Sequence, residues 1–220
     1  MKRSEINRLQ KQALEFFQDN NFSLPDYATW RPADWEKAGP ETEEIKKRML
    51  GWDVTDFGKG EFHTFGLLVF TLRNGPSDGS GEPYCEKIIV IRNGQTLPFH
   101  FHWSKTEDII NRAGGQLVIK LWNSDESENL ADTPVRVLVD GGIWKDVEAG
   151  GELVIPPGGS VTLTPHVYHE FSGRGGDVLI GEVSSINDDT KDNRFLEVLP
   201  RFSRIEEDEP VLFYLCNEYS

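Results

Sequence analysis

Gly94-Gln95-Thr96-Leu97-Pro98-Phe99-His100-Phe101-His102-Trp103-Ser104-Lys105-Thr106-Glu107, running on to Gly114, is the stretch that decides how this chain folds. His100 and His102 stand two residues apart, and on a β-strand residues i and i+2 point to the same face. Two imidazoles therefore lie side by side. If the chain then bends, Glu107 brings a carboxylate to the same point. Nitrogen and oxygen donors without a thiolate outline a transition-metal site.

Outward from this stretch the chain reads as short strands. Phe62 to Arg73 is strand-like and is ended by Asn74-Gly75-Pro76. Ile88 to Ile91, Gln116 to Trp122, Val135 to Val139, Glu152 to Ile155, Ser160 to Thr164 and Val178 to Val183 follow, with glycine and proline between them. Val211 to Cys216 reads as a final strand after the acidic turn Ile205 to Pro210. Short strands at regular spacing with glycine turns predict an all-β sandwich or barrel. Residues 1–50 predict a helical N-terminal extension packed on a barrel of residues 51–220. Within the extension Ile6, Leu9, Ala13, Phe16 and Phe17 recur at helical spacing, with Ser4 as N-cap and Asp19-Asn20-Asn21 as the end. Pro32 to Trp35 predicts a helical turn, and Glu41 to Met49 a short helix.

Composition bounds the function. The 220 residues carry a formal net charge of -14, whereas nucleic acid and anionic membranes both need a basic face. No apolar run of about 18 residues is present, so no helical membrane span is expected. Two cysteines, Cys85 and Cys216, are too few for a disulfide scaffold and point to a reducing, cytoplasmic setting. The N-terminus has no signal-peptide pattern.

Gly94-x5-His100-x-His102-x4-Glu107-x6-Gly114 resembles the first cupin motif at every fixed position. Gly151 to Gly159 resembles the opening of the second, which supplies one more histidine. His166 and His169 are both candidates for it. The spacing Pro165-x3-His169 resembles the proline-then-histidine corner of cupins and selects His169. His63 stands alone and reads as a surface or packed residue.

Nearly the whole chain resembles the D-lyxose ketol-isomerase family. The resemblance rests on Leu50 to Thr55, Phe70 to Gly75, His100 to Arg112, Gly181 to Ser185, Asn187 to Asn193 and the ending Leu215 to Tyr219. It implies a cupin (double-stranded β-helix, jelly-roll) barrel, a homodimer and a metal-dependent aldose–ketose isomerase. D-lyxose and D-xylulose are the implied pair, with D-mannose and D-fructose secondary. His100, His102, Glu107 and His169 are then the metal ligands, and such a set suits Mn²⁺ among other divalent ions. Glu182, within the apolar strand Val178 to Val183, is the expected base, its pKa raised by apolar surroundings. Glu107 is a second possible proton carrier. Lys87, Lys120, Asp192 and Arg194 are the expected contacts to a small sugar. A non-catalytic sugar-binding cupin and a cupin dioxygenase are the competing readings, since both use the same barrel.

Overall fold

The computed structural model describes residues 1–76 and 78–219. Three helices precede the sheet: α1 (Arg3–Asp19), α2 (Pro32–Trp35) and α3 (Glu43–Lys47). The strands are β1 (Gly51–Thr55), β2 (Leu67–Asn74), β3 (Tyr84–Ile91), β4 (His100–Phe101), β5 (Glu107–Ser124) and β6 (Leu130–Ala131). They continue as β7 (Val135–Val139), β8 (Ile143–Val147), β9 (Glu152–Ile155), β10 (Ser160–Leu163), β11 (Val167–Ser185) and β12 (Arg194–Phe195). The fold is the expected cupin-like β architecture with a helical N-terminal extension.

Two long strands make the barrel. β5 has 18 residues and β11 has 19, and they pair antiparallel along most of their length. Both bend in the middle, where the register shifts between Arg174 and Val178. The C-terminal half of β11 and the N-terminal end of β5 lie within the strand order β1-β2-β3-β11-β5-β10-β7-β8 of a single 12-stranded sheet. Their other halves pair with β9 and β6 on β5 and with β4 on β11, and β12 pairs in turn with β4. The bend explains the last glycine of the motif. Gly114 has φ +90, and a Cβ there would stand 2.1 Å from the Asp177 carbonyl oxygen.

Side-chain parity divides two cores. On β2, Leu67 and Val69 face the barrel interior, while Leu68 and Phe70 face outward. On β3, Ile89 and Ile91 face inward, and Ile88 and Val90 outward. The outward set is covered by Ile6, Leu9, Ala13 and Phe17 of α1, together with Trp52, Phe213 and Leu215. Both faces of β2 and β3 are therefore buried, which accounts for their unbroken apolar runs. Each such side chain contributes about 1.5–3 kcal/mol by leaving water.

Several local expectations change. α1 starts at Arg3 with Lys2 as N-cap, because the Ser4 amide and hydroxyl both donate to Asp208. α3 is confined to Glu43–Lys47, and Met49 adopts φ +51. Residues 62–64 form a turn and Phe65 makes only an isolated bridge to Thr96, so β2 begins at Leu67. Val211 to Cys216 is not a strand: it wraps irregularly over α1 and β1, with one bridge from Leu215 to Trp52. Polar side chains of α1 hold it there, Asn7 accepting from the Leu212 amide and Gln10 donating to the Phe213 carbonyl. Cys85 and Cys216 are free and buried. No helix among the described residues is long and apolar enough to cross a membrane.

Candidate active site

The inward parity of three strands places charged groups at one end of the barrel interior. Lys87 precedes Ile89 and Ile91 on β3, and Glu182 follows Val178 and Ile180 on β11. Glu107 precedes Ile109 on β5, and Lys105 lies just before that strand. These four line a cavity of about 520 Å³, counting the space at its mouth. His100 and His102 share its wall, as do Asp189, Asn193 and Arg201. An apolar side is supplied by Phe57, Leu97, Phe171 and Phe195.

The histidines converge. His100, His102 and His169 each offer a ring nitrogen, and these atoms lie within 4.8 Å of one another. Pairing of β4 with β11 sets His169 directly across from His100. Each Nδ1–H donates to a backbone carbonyl: His100 to Pro98 at 2.9 Å, His102 to Asp192 at 2.6 Å and His169 to Val167 at 3.0 Å. With Nδ1 protonated, every Nε2 presents a lone pair. His169 Nε2 lies 3.1 Å from His100 Nε2 and 3.1 Å from Glu107 Oε1. Acceptor thus faces acceptor. His102 Nε2 and Glu107 Oε1 are buried without any hydrogen-bond donor. Orphaned acceptors of this kind are costly unless a cation joins them. The donor set therefore fits a divalent metal ion. Burial and the two neighbouring imidazoles hold His100 well below the ordinary histidine pKa, in the neutral form a ligand requires.

Beside this cluster runs a chain of buried charges. Lys105 Nζ lies 2.8 Å from Glu107 Oε2 and 2.9 Å from Glu182 Oε1. Lys87 Nζ lies 3.5 Å from the same Glu182 oxygen, and it donates to Asn187 Oδ1 at 2.8 Å. Asp189 is 3.8 Å from Lys87 and 3.2 Å from Arg201, which also grips Asp53 at 2.6 Å. Burial alone pushes the Glu182 carboxyl up, but the ammonium groups of Lys105 and Lys87 overcome it. Its pKa is lowered, the opposite of the expectation from an apolar strand. Burial likewise pushes Glu107 up, and Lys105 and then His102 bring it well below the usual range. Against burial, Asp189 and then Glu182 raise Lys87, and Glu107 and Glu182 raise Lys105.

The structure sorts the residues singled out in the sequence. His100, His102, His169, Glu107, Glu182 and Lys87 come together. His166 sits in a turn at φ +65 and packs outward against Phe101, ring centroids 5.1 Å apart. Lys120 lies on the opposite side of β5 from Ile119 and Leu121, across from Glu152 and Glu170, outside the cavity. Arg194 is also outside it, donating to Glu128 at 2.9 Å. Both carboxylate oxygens of Asp192 are taken by backbone amides, so it offers the cavity nothing. His63 is a surface residue near Arg8. Asp189 belongs to the polar loop after the Glu182 strand, from which the sequence favours Asp192 and Arg194 as sugar contacts; Lys105, Asn193 and Arg201 carry no such expectation. Lys105 stands two residues before Glu107 but outside β5, so strand parity does not place it. The others sit in irregular segments that carry no periodic signal.

Fold and site together define a cupin-like barrel with a three-histidine cluster suited to a divalent metal ion. A family model described as D-lyxose isomerase matches residues 1–219. A D-lyxose/D-mannose isomerase of Escherichia coli O157:H7 is 47% identical over 224 residues, covering 100% of this chain and 98% of the relative. The Serratia proteamaculans protein of the same name gives the same identity and coverage. In fold, the chain is similar to Cellulomonas parahominis L-ribose isomerase solved with L-psicose. That likeness has a TM-score of 0.62 and 14% identity, over 94% of this chain and 98% of the other. The chain belongs to the D-lyxose isomerase family and is an isomerase.

Proposed function

We propose that this protein interconverts D-lyxose and D-xylulose, and secondarily D-mannose and D-fructose, with Mn²⁺ held by His100, His102, His169 and Glu107. The observation that carries this reading is the junction of the histidine cluster with the Lys105–Glu182–Lys87 chain in one cavity. The names of full-length relatives supply the aldoses, D-lyxose and D-mannose, and the ketoses follow as their C1–C2 isomers.

Aldose–ketose exchange moves one proton between C2 and C1 and one between the two oxygens. A bound divalent ion supplies Lewis acidity toward the sugar carbonyl. Glu182 is the proposed base that takes the C2 proton and returns it to C1 through an enediol. Its carboxylate is ionised in the resting site because Lys105 and Lys87 flank it. The same lysines are positioned to offset negative charge that grows on the sugar oxygens. Lys87, Asp189, Asn193 and Arg201 form the polar wall toward the sugar hydroxyls. Phe57, Phe171 and Phe195 exclude water from the opposite side.

Two further parts belong to the proposal. The buried free thiols support a reducing, cytoplasmic setting. Homodimer formation is supported by the exposed Ile143 and Trp144 on edge strand β8, since α1 spends its apolar face on the barrel. Light scattering on the purified protein tests the second.

The activity test is ketose production from D-lyxose by the wild type and by Glu182→Gln. The variant should keep its metal and lose about 10²–10⁴-fold in turnover. Near-normal turnover in the variant removes Glu182 as base, and no ketose from metal-loaded wild type removes the isomerase reading.

A further inference from the structure

The run from His102 to Glu107 is the least regular part of the metal motif, yet its side chains are the most demanding. Residues 103–106 pair with no strand, so their amides lack ladder partners. Lys105 nevertheless has to reach two carboxylates from a buried position. Ser185 ties down the C-terminal end of this bend, its hydroxyl accepting from the Thr106 amide and its amide donating to the Thr106 carbonyl, which leaves the Ser104 and Lys105 amides to be held.

Asp192 does so from a turn ninety residues away in sequence. Its Oδ1 accepts from the Ser104 amide and its Oδ2 from the Lys105 amide, each at 3.0 Å. Its main-chain carbonyl accepts from His102 Nδ1 at 2.6 Å. Its own amide donates to the Asp188 carbonyl at 3.0 Å, closing the turn that carries Asp189. One residue thus fixes the tautomer and orientation of His102 and the backbone beneath Lys105. The carboxylate gives each of two adjacent amides its own oxygen, and such charge-assisted bonds are the stronger kind.

We infer that Asp192 is a positioning residue, which ties the turn bearing Asp189 to the His102–Glu107 bend and sets His102 and Lys105 for metal and proton handling. Its side chain does not line the cavity. The role in proton handling rests on the isomerase reading above, whereas the role toward the metal does not.

The test uses Asp192→Asn, which keeps the shape and one acceptor, and Asp192→Ala, which keeps only the main-chain carbonyl. Mn²⁺ dissociation constants are measured by titration calorimetry on metal-stripped protein, well below the melting temperature, beside kcat and KM for D-lyxose. Both variants keep the carbonyl that His102 bonds and act by loosening its position; disturbing the outer partner of a metal ligand typically weakens binding or activity by about 10–100-fold. Asp192→Asn should therefore weaken Mn²⁺ by about 10-fold and Asp192→Ala by more, within that range. At saturating Mn²⁺, kcat should stay depressed while KM changes little. Three results overturn the inference: a raised KM with normal metal affinity and kcat, a lowered melting temperature with normal metal affinity, or no change in any of these. If wild-type protein binds Mn²⁺ but makes no ketose while Asp192→Asn still binds it more weakly, the isomerase reading fails and the positioning role stands.

Discussion

Replacing Lys105 by methionine keeps most of the volume and removes the charge between two buried carboxylates. The Lys105 side chain is 3% exposed, with Glu107 at 2.8 Å and Glu182 at 2.9 Å. Removing one partner of a buried ion pair costs about 3–5 kcal/mol, because the remaining charge is left uncompensated. Lys87 stays 3.5 Å from Glu182 and supplies part of the lost field. The lower end, about 3 kcal/mol, is therefore expected. For a chain of this size each kcal/mol shifts the melting temperature by about 2–4 °C, so Lys105→Met should melt about 6–12 °C below the wild type. The assay is thermal unfolding followed by circular dichroism on metal-stripped protein, where no ion offsets the Glu107 charge. Adding Glu182→Gln to the variant should recover part of the loss, since one orphaned carboxylate is then neutral. A melting temperature equal to or above that of the wild type would refute the view that Lys105 neutralises this pair.

Other outcomes follow from the placement of single residues. His169→Ala should abolish tight Mn²⁺ binding in a dialysis assay while His166→Ala leaves it intact, because only His169 faces the cluster. Lys120→Ala should leave kcat and KM for D-lyxose within about 2-fold of wild type, since the side chain lies outside the cavity. Burial pushes the Cys85 thiol up to about 12 and Cys216 well above its ordinary value. Neither should react with a thiol reagent at pH 8 until the protein unfolds, when both should. A group raised on folding favours the native state fully below its unfolded pKa of about 8.5, and that contribution falls as pH rises past it. Thermal stability measured from pH 8 to 10 should decline accordingly.

How far the sequence carried this reading depends on which signals are local. The spacing of His100, His102, Glu107 and Gly114 is local, and the structure gives each position a physical reason. Parity along strands is also local and was decisive: Glu182 shares its face with Val178 and Ile180, and Lys87 with Ile89 and Ile91. The same parity places Lys120 outside, opposite Ile119 and Leu121. Strand alternation was thus available for that residue too. What local pattern does not hold is the net field on Glu182. Its apolar neighbours along β11 suggested a raised pKa, but two lysines from other segments reverse the sign. Arg201, Asp189 and Asn193 come from irregular chain whose position is set by long-range hydrogen bonds. The segment Val211 to Cys216 shows the limit from the other side. It is apolar enough for a strand, but it buries those side chains against α1 and β1 instead of extending a sheet.

The central claim is that one barrel end holds a divalent ion and uses it to isomerise a sugar. It is tested most directly by stripping the protein of metal, titrating Mn²⁺ back, and following D-xylulose formation from D-lyxose against bound metal. Turnover should be absent in stripped protein and should rise in proportion to occupancy, saturating at one ion per chain. Full turnover without metal, or no ketose at full occupancy, would contradict it.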